Sequence, residues 1–185
     1  MSRHPNILDR EQSALLIVDM QEKFMPVIAD YAHIEKNIIT LARGCRILNV
    51  PLFYTEQYPK GLGRTTEHLA AELHELQPFE KLRFSAAGEH SLIDALKEKN
   101  ISQLVLTGIE THVCVLQSAL DFLHLGYVVH VIQDGTGSRK TSDRDSALER
   151  MQQNGIAVSN LESALFELTV TSGTNEFKQI SKLIK

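Results

Sequence analysis

The sequence predicts an α/β fold, a three-layer α/β/α sandwich built around a mostly parallel, Rossmann-like sheet of about six strands. Two observations lead to this fold class. Short apolar runs alternate with longer segments of helical period, which is typical of a parallel sheet covered by helices. Most of the runs are apolar without strict alternation, as expected of strands buried on both faces. The predicted strands cover residues 14–19, 51–55, 103–107, 127–132 and, with a weaker pattern, 155–158.

Four segments between these runs have the period of a helix. In the first, apolar residues recur at intervals of three and four through Cys45, which predicts one buried stripe with this cysteine as core filler. The other three predicted helices cover residues 91–100, 111–125 and 142–154. Ser142 and Asp145 resemble a capping box at the start of the last one. Residues 58–66, YPKGLGRTT, have two glycines and a proline without a period, and this predicts a loop.

Composition restricts the function classes. A chain of 185 residues with 43% hydrophobic and 23% charged residues is expected to form a single domain, residues 1–185. A formal net charge of -4 argues against nucleic acid or an anionic membrane as partner, and leaves a small molecule. With two cysteines, no apolar run of membrane-spanning length and a polar start, the chain is expected to be cytoplasmic.

In parallel α/β folds, ligands bind beyond the carboxyl ends of the strands, which directs attention to the residues that end each run. Cys114 follows the third run at the predicted start of a helix, with Thr111 as candidate cap. Free N–H groups and the positive end of the helix dipole would lower the pKa of a thiol there. Buried cysteines are nevertheless common, so the residues alone leave a reactive Cys114 and an inert one about equally supported.

Cys114 would need a base or a cation nearby. His112 lies two residues away, on nearly the opposite face of a helix, and is therefore poorly placed. Asp19 ends the first run and is the better proton acceptor, although an aspartate there could equally cap a turn. In the turn 134–140, Arg139 is a candidate for binding a substrate anion. The histidines form no zinc motif, so no metal and no cofactor is expected.

Several motifs in order resemble those of the isochorismatase-like cysteine hydrolases, a family that includes isochorismatases, nicotinamidases and N-carbamoyl amidohydrolases. The matching segments are LLIVDMQEKF (15–24), TEQYPKGLG (55–63), EKLRFS (80–85), GIETHVCV (108–115) and the DGTGSR turn (134–139). The resemblance implies a catalytic triad of Asp19, Lys81 and Cys114. It also implies a cis peptide between Ile109 and Glu110, and an oxyanion hole formed by the backbone N–H groups of Glu110 and Cys114.

The forms TEQYPKGLG and GIE look closest to the isochorismatase-domain-containing subgroup of this family. The implied function is hydrolysis of an amide, carbamoyl or related C–N bond, or of an isochorismate-like ether, in a small molecule. Phe24, Gln57, Tyr58 and Ile109 would border the substrate pocket, and the family implies a homo-oligomer. A non-catalytic binding or scaffolding role is the alternative. A nicotinamidase is less well supported because TEQYPKGLG lacks the histidines of that metal site, and a ribonuclease because the chain is acidic.

Overall fold

The computed structural model describes residues 3–185, and the strands of this part form one sheet. The order across the sheet is β3-β2-β1-β4-β5-β6, and every neighbouring pair is parallel. This confirms the predicted sheet, with all of its pairs parallel. The strands are β1 (Ser13–Val18), β2 (Leu52–Gln57), β3 (Phe79–Lys81), β4 (Gln103–Ile109), β5 (Val128–Gly137) and β6 (Ala157–Ser159).

Helices cover both faces of the sheet, which gives the three layers. The described helices are α1 (Tyr31–Ile47), α2 (Pro59–Leu62), α3 (Glu67–Glu72), α4 (His90–Glu98), α5 (Leu116–His124), α6 (Thr141–Gln153), α7 (Leu161–Thr169) and α8 (Asn175–Leu183). Leu15 and Ile17 of β1 pack with α1, α3, α7 and α8 on one face. Leu16 and Val18 pack with α4, α5 and α6 on the other. Cys45 is fully buried in the first of these clusters, as its place in the apolar stripe predicts.

Three local expectations were wrong. The capping box at Ser142 and Asp145 does not form, because α6 begins at Thr141 after Lys140 and has no side-chain cap. The segment 58–66 is not wholly irregular, since it contains the short helix α2. The fourth predicted strand continues to Gly137, through a shift of register against β4, so that part of the expected turn is strand.

The ends of β1 and β4 approach each other closely at Gly108. This glycine has φ 111°, and a Cβ atom there would collide with the backbone carbonyl oxygen of Val18. Only glycine combines this backbone conformation with this contact. The approach brings the residues after β4 beside those after β1. Among residues 3–185, no helix combines the length and the apolar character needed to cross a membrane.

Candidate active site

Asp19 is the first residue after β1, at the carboxyl edge of the sheet. Its side chain is fully buried, and its φ of 53° turns the chain away from the strand direction. The backbone N–H of Asp19 donates to the carbonyl of Thr55 at 3.2 Å, and the Thr55 hydroxyl donates to Oδ1 at 2.6 Å. A left-handed conformation in a non-glycine residue is costly and is maintained only where surrounding contacts fix it. The two bonds to Thr55 are such contacts.

Lys81 ends β3 and reaches the second oxygen of the same carboxylate. Its Nζ donates to Asp19 Oδ2 at 2.7 Å, while the side chains of Lys81 and Asp19 are 1% and 0% exposed. Nζ also donates to the carbonyl oxygens of Phe84 at 2.9 Å and Arg83 at 3.3 Å. A buried ammonium is tolerated only when it is paired and its protons are all used, and both conditions are met here.

Gln57 holds Lys81 from the neighbouring strand β2. Its Oε1 accepts from Lys81 Nζ at 2.7 Å, and its Nε2 donates to the carbonyl of Leu82 at 2.8 Å. The backbone of Gln57 is fixed in turn by the Gln21 side chain, which accepts from the Gln57 N–H at 2.8 Å and donates to the Gln57 carbonyl at 3.0 Å. The polar groups of Gln57 are thus committed to Lys81 and to the backbone around it.

Cys114 lies in a single π-helical turn, Thr111–Val115, that follows β4 and leads into α5. The N–H groups of Val113 and Val115 both donate to the carbonyl of Glu110. π-Helical turns are rare in proteins, and those that do occur are frequently found at functional sites. Thr111 is not the helix cap expected from the sequence, since it lies inside the turn and its Oγ1 has no hydrogen-bond partner among the described residues. Cys114 itself is 5% exposed.

Burial raises the pKa of the Cys114 thiol to about 12, the nearby Asp19 carboxylate raises it too, and Lys81 lowers it. The expectation of a lowered pKa was therefore wrong, because the sequence shows the helix start but not the desolvation of the sulfur. At neutral pH the resting site holds a thiol beside a carboxylate–ammonium pair. A thiolate would form only as the proton passes to an acceptor during attack, and Asp19 is the acceptor at hand.

Glu110 follows β4 and immediately precedes the turn that holds Cys114. The peptide bond between Ile109 and Glu110 is cis. The Glu110 carboxylate is buried and accepts from the Arg139 backbone N–H at 3.1 Å and from its Nε at 3.0 Å. Arg139, proposed from sequence for a substrate anion, is thus engaged by the protein itself. His112 is directed elsewhere, with Nδ1 3.0 Å from the Ser138 hydroxyl.

A cavity of about 530 Å³ opens beside Lys81. Its walls are formed by three short segments, residues 58–60, 80–83 and 88–89. Of the residues predicted to border the substrate, Tyr58 lines it and is 51% exposed. Ile109 is fully buried in the core, and Phe24 is partly buried and packs against the same core cluster. This volume suits a small organic molecule.

The sequence alone did not reveal the polar residues that support Asp19 and Gln57. Thr55 and Gln21 fix Asp19 and Gln57, yet both look in the sequence like ordinary residues near strand ends. The available signal was their polarity at positions where the surrounding pattern demands burial, and both are in fact almost fully buried. Among residues 3–185, no three His, Cys, Asp or Glu side chains are arranged to hold a metal ion.

Comparison with known proteins gives consistent matches. The family model described as the Isochorismatase domain matches residues 13–163. Isochorismatase family protein 1B of Dictyostelium discoideum is 42% identical over 180 residues, covering 95% of this chain and 87% of that protein. The structure of MAR1 ribonuclease from Caenorhabditis elegans has a TM-score of 0.90 and 39% identity, covering 96% of this chain and 91% of that one. The structure of YcaC from Pseudomonas aeruginosa with hexane-2,5-diol and covalent acrylamide has a TM-score of 0.88 and 26% identity, covering 98% of this chain and 93% of that one.

Proposed function

The chain belongs to the isochorismatase family, and from this premise we propose that it is a cysteine hydrolase that cleaves a C–N bond in a small molecule. Cys114 is the nucleophile, Asp19 the general acid and base, and Lys81 the cation that holds Asp19 in place. The observation that carries the proposal is the fully buried Lys81–Asp19 ion pair next to the Cys114 thiol. Burying an ion pair costs desolvation free energy, and a scaffolding role does not require such a pair.

The proposed reaction has two halves. Asp19 takes the thiol proton as Cys114 Sγ attacks the substrate carbonyl carbon, and the backbone N–H groups of Glu110 and Cys114 stabilise the oxyanion. The C–N bond then breaks, and the departing amine takes the proton from Asp19. This leaves a thioester on Cys114. In the second half, Asp19 removes a proton from water as the water attacks the thioester, and returns that proton to the sulfur when the C–S bond breaks.

The raised pKa of Cys114 fits this scheme, because proton transfer to Asp19 during attack does not need a stored thiolate. Lys81 stabilises the buried Asp19 carboxylate, because its positive charge offsets the free-energy cost of removing that carboxylate from water. YcaC from Pseudomonas aeruginosa, a structural neighbour of this chain, carries a covalent acrylamide, and this supports a site that reacts with an electrophile.

The test is ammonia release from a panel of small primary amides and N-carbamoyl compounds. We expect turnover of at least one class by the native protein and loss of that turnover in both Cys114→Ala and Asp19→Asn. Cys45→Ala is the matched control, because Cys45 is fully buried in the hydrophobic core and its replacement should leave turnover intact. Turnover that survives either triad substitution would overturn the assignment.

Ribonuclease activity is the second candidate, because the MAR1 ribonuclease of Caenorhabditis elegans is 39% identical to this chain. The net charge of -4 weighs against it, since phosphate contacts by lysine and arginine dominate RNA affinity. Incubation with a labelled single-stranded RNA separates the two candidates. We expect no cleavage above that of the Cys114→Ala variant, and cleavage that Cys114→Ala abolishes would favour the ribonuclease.

We further propose that the protein is a single domain that acts as a homo-oligomer in the cytoplasm. Support for the oligomer comes from apolar side chains exposed near the cavity, with Leu82 77% and Phe84 53% exposed. Support for the compartment comes from the two free cysteines, Cys45 and Cys114. Analytical ultracentrifugation of the native protein and of Leu82→Ser tests the first point, and a larger native species that dissociates in the variant is expected.

A further inference from the structure

Arg83 is a cation on the wall of the cavity next to the triad. Its side chain is exposed, and the residue lines the cavity next to Lys81. Its backbone carbonyl accepts from Lys81 Nζ at 3.3 Å, which places the main chain of Arg83 against the catalytic ion pair. Within residues 3–185, no carboxylate lies within salt-bridge distance of its guanidinium. The backbone of Arg83 is therefore held in place, while its guanidinium has no ionic partner among the described residues.

The side chain of Arg83 rests on Gly88, which also lines the cavity. A Cβ atom at Gly88 would lie 2.7 Å from Arg83 Cδ and 3.6 Å from Nη1. The absence of a side chain at this glycine thus provides the space in which the arginine lies. The ring of Tyr58, which also lines the cavity, packs in the same way over Gly61. The side chains of Arg83 and Tyr58 are thus each held against a glycine before a ligand binds, and this lowers the conformational entropy that they lose on binding.

Two of the other charges around the cavity, those of Glu80 and Lys81, are paired with oppositely charged side chains. Glu80 accepts from Arg64 at 2.6 Å, and Glu89 accepts from the Ser91 hydroxyl at 3.2 Å. Lys81 is neutralised by Asp19. Arg83 and Lys60, which both line the cavity, therefore provide the positive charge that is available to a ligand, and a guanidinium is well suited to a bidentate bond with a carboxylate.

We propose that Arg83 is a specificity-determining residue, which binds a carboxylate of the substrate and so directs this hydrolase to anionic amides or carbamoyl compounds. The proposal rests on the proposed function, because it takes Cys114 as the reacting group. The Tyr58 ring would contact the apolar part of the same molecule.

The test uses irreversible probes, so that no substrate need be known. Chloroacetyl derivatives of glycine, β-alanine and γ-aminobutyrate carry a carboxylate at increasing distance, and the corresponding primary amides are their neutral counterparts. In each case the sulfur of Cys114 displaces chloride, with C–S bond formation and the thiol proton passing to Asp19. The rate of labelling of Cys114 is followed by mass spectrometry, and the ratio of anionic to neutral rates measures the preference.

We expect at least one acid to react about tenfold faster than its neutral amide, the size of effect that a charge-assisted hydrogen bond supplies. Arg83→Gln should remove this preference, and Arg83→Lys should restore part of it. Gly88→Ala should weaken it without changing any charge, because the added methyl group displaces the arginine. Arg150→Gln removes the same charge from an exposed position on α6 and should leave the preference unchanged.

The two levels of the proposal fail differently. A Cys114 that is labelled by both kinds of probe, with a ratio that is the same in the native protein and in Arg83→Gln, would overturn the role of Arg83 alone. A Cys114 that neither kind of probe labels would contradict the proposed function, and with it this inference.

Discussion

Replacing Lys81 by methionine tests whether the ion pair of the site is as desolvated as the geometry indicates. The pair has a separation of 2.7 Å, and both side chains are at most 1% exposed. Lys81→Met leaves the Asp19 carboxylate buried without its cation, and leaves Gln57 Oε1 and the Phe84 carbonyl without their donor. Breaking one side of a buried pair costs about 3–5 kcal/mol. We therefore expect the free energy of unfolding to fall by about that amount.

A double-mutant cycle isolates the coupling. Lys81→Met leaves the Asp19 carboxylate unpaired, and Asp19→Asn removes that charge. The double variant should therefore be about 2–3 kcal/mol more stable than the sum of the two single changes predicts. The control is the exposed pair of Arg43 and Glu72, where the cycle Arg43→Met and Glu72→Gln should give less than about 1 kcal/mol. Because the chain has no tryptophan, urea unfolding is best followed by circular dichroism. Equal coupling in the two cycles would refute the reasoning.

Three further predictions follow from individual residues. Because burial raises the pKa of Cys114 to about 12, the ultraviolet difference spectrum against Cys114→Ala should show no thiolate below about pH 10, whereas a free cysteine is half ionised near about pH 8.5. Burial lowers the pKa of His130 despite the nearby Glu167, so the folded state binds fewer protons than the unfolded chain and stability should fall as the pH drops below about 6.5. His130→Leu should flatten this dependence in urea titrations at a series of pH values, and an unchanged slope would exclude His130 as its source. Gly108→Ala should cost more than about 3 kcal/mol because its methyl group meets the β1 backbone, whereas Gly155→Ala, with the same sign of φ and open space around it, should cost only about 1 kcal/mol in the same assay.

The layers of the fold and two residues of the site could be predicted from the residues themselves. Unbroken apolar runs indicated strands buried on both faces, and the parallel sheet confirms this reading. Asp19 and Cys114 stand out because each directly follows such a strand, where parallel sheets place their ligands. Lys81 could be found only through the resemblance to a family, because β3 has three residues and is too short to show a period.

Other features depend on tertiary contacts that no local pattern contains. The pKa of Cys114 is set by what covers the sulfur, and a helix start predicts the opposite direction from the one that burial imposes. Gln57 was expected to border the substrate, yet its amide is used to hold Lys81, since β2 and β3 bring the two side chains together. The engagement of Arg139 by Glu110 likewise depends on the pairing of β4 with β5.

The most direct test of the central claim is the pattern of covalent labelling by acrylamide, read by peptide mass spectrometry at neutral pH. If Cys114 is a nucleophile whose proton passes to Asp19, Cys114 should be labelled while the buried Cys45 is not. Asp19→Asn should then abolish the labelling of Cys114 in a protein that remains folded by circular dichroism. An unlabelled Cys114 in the native protein, or one that is labelled equally fast in folded Asp19→Asn, would contradict the account.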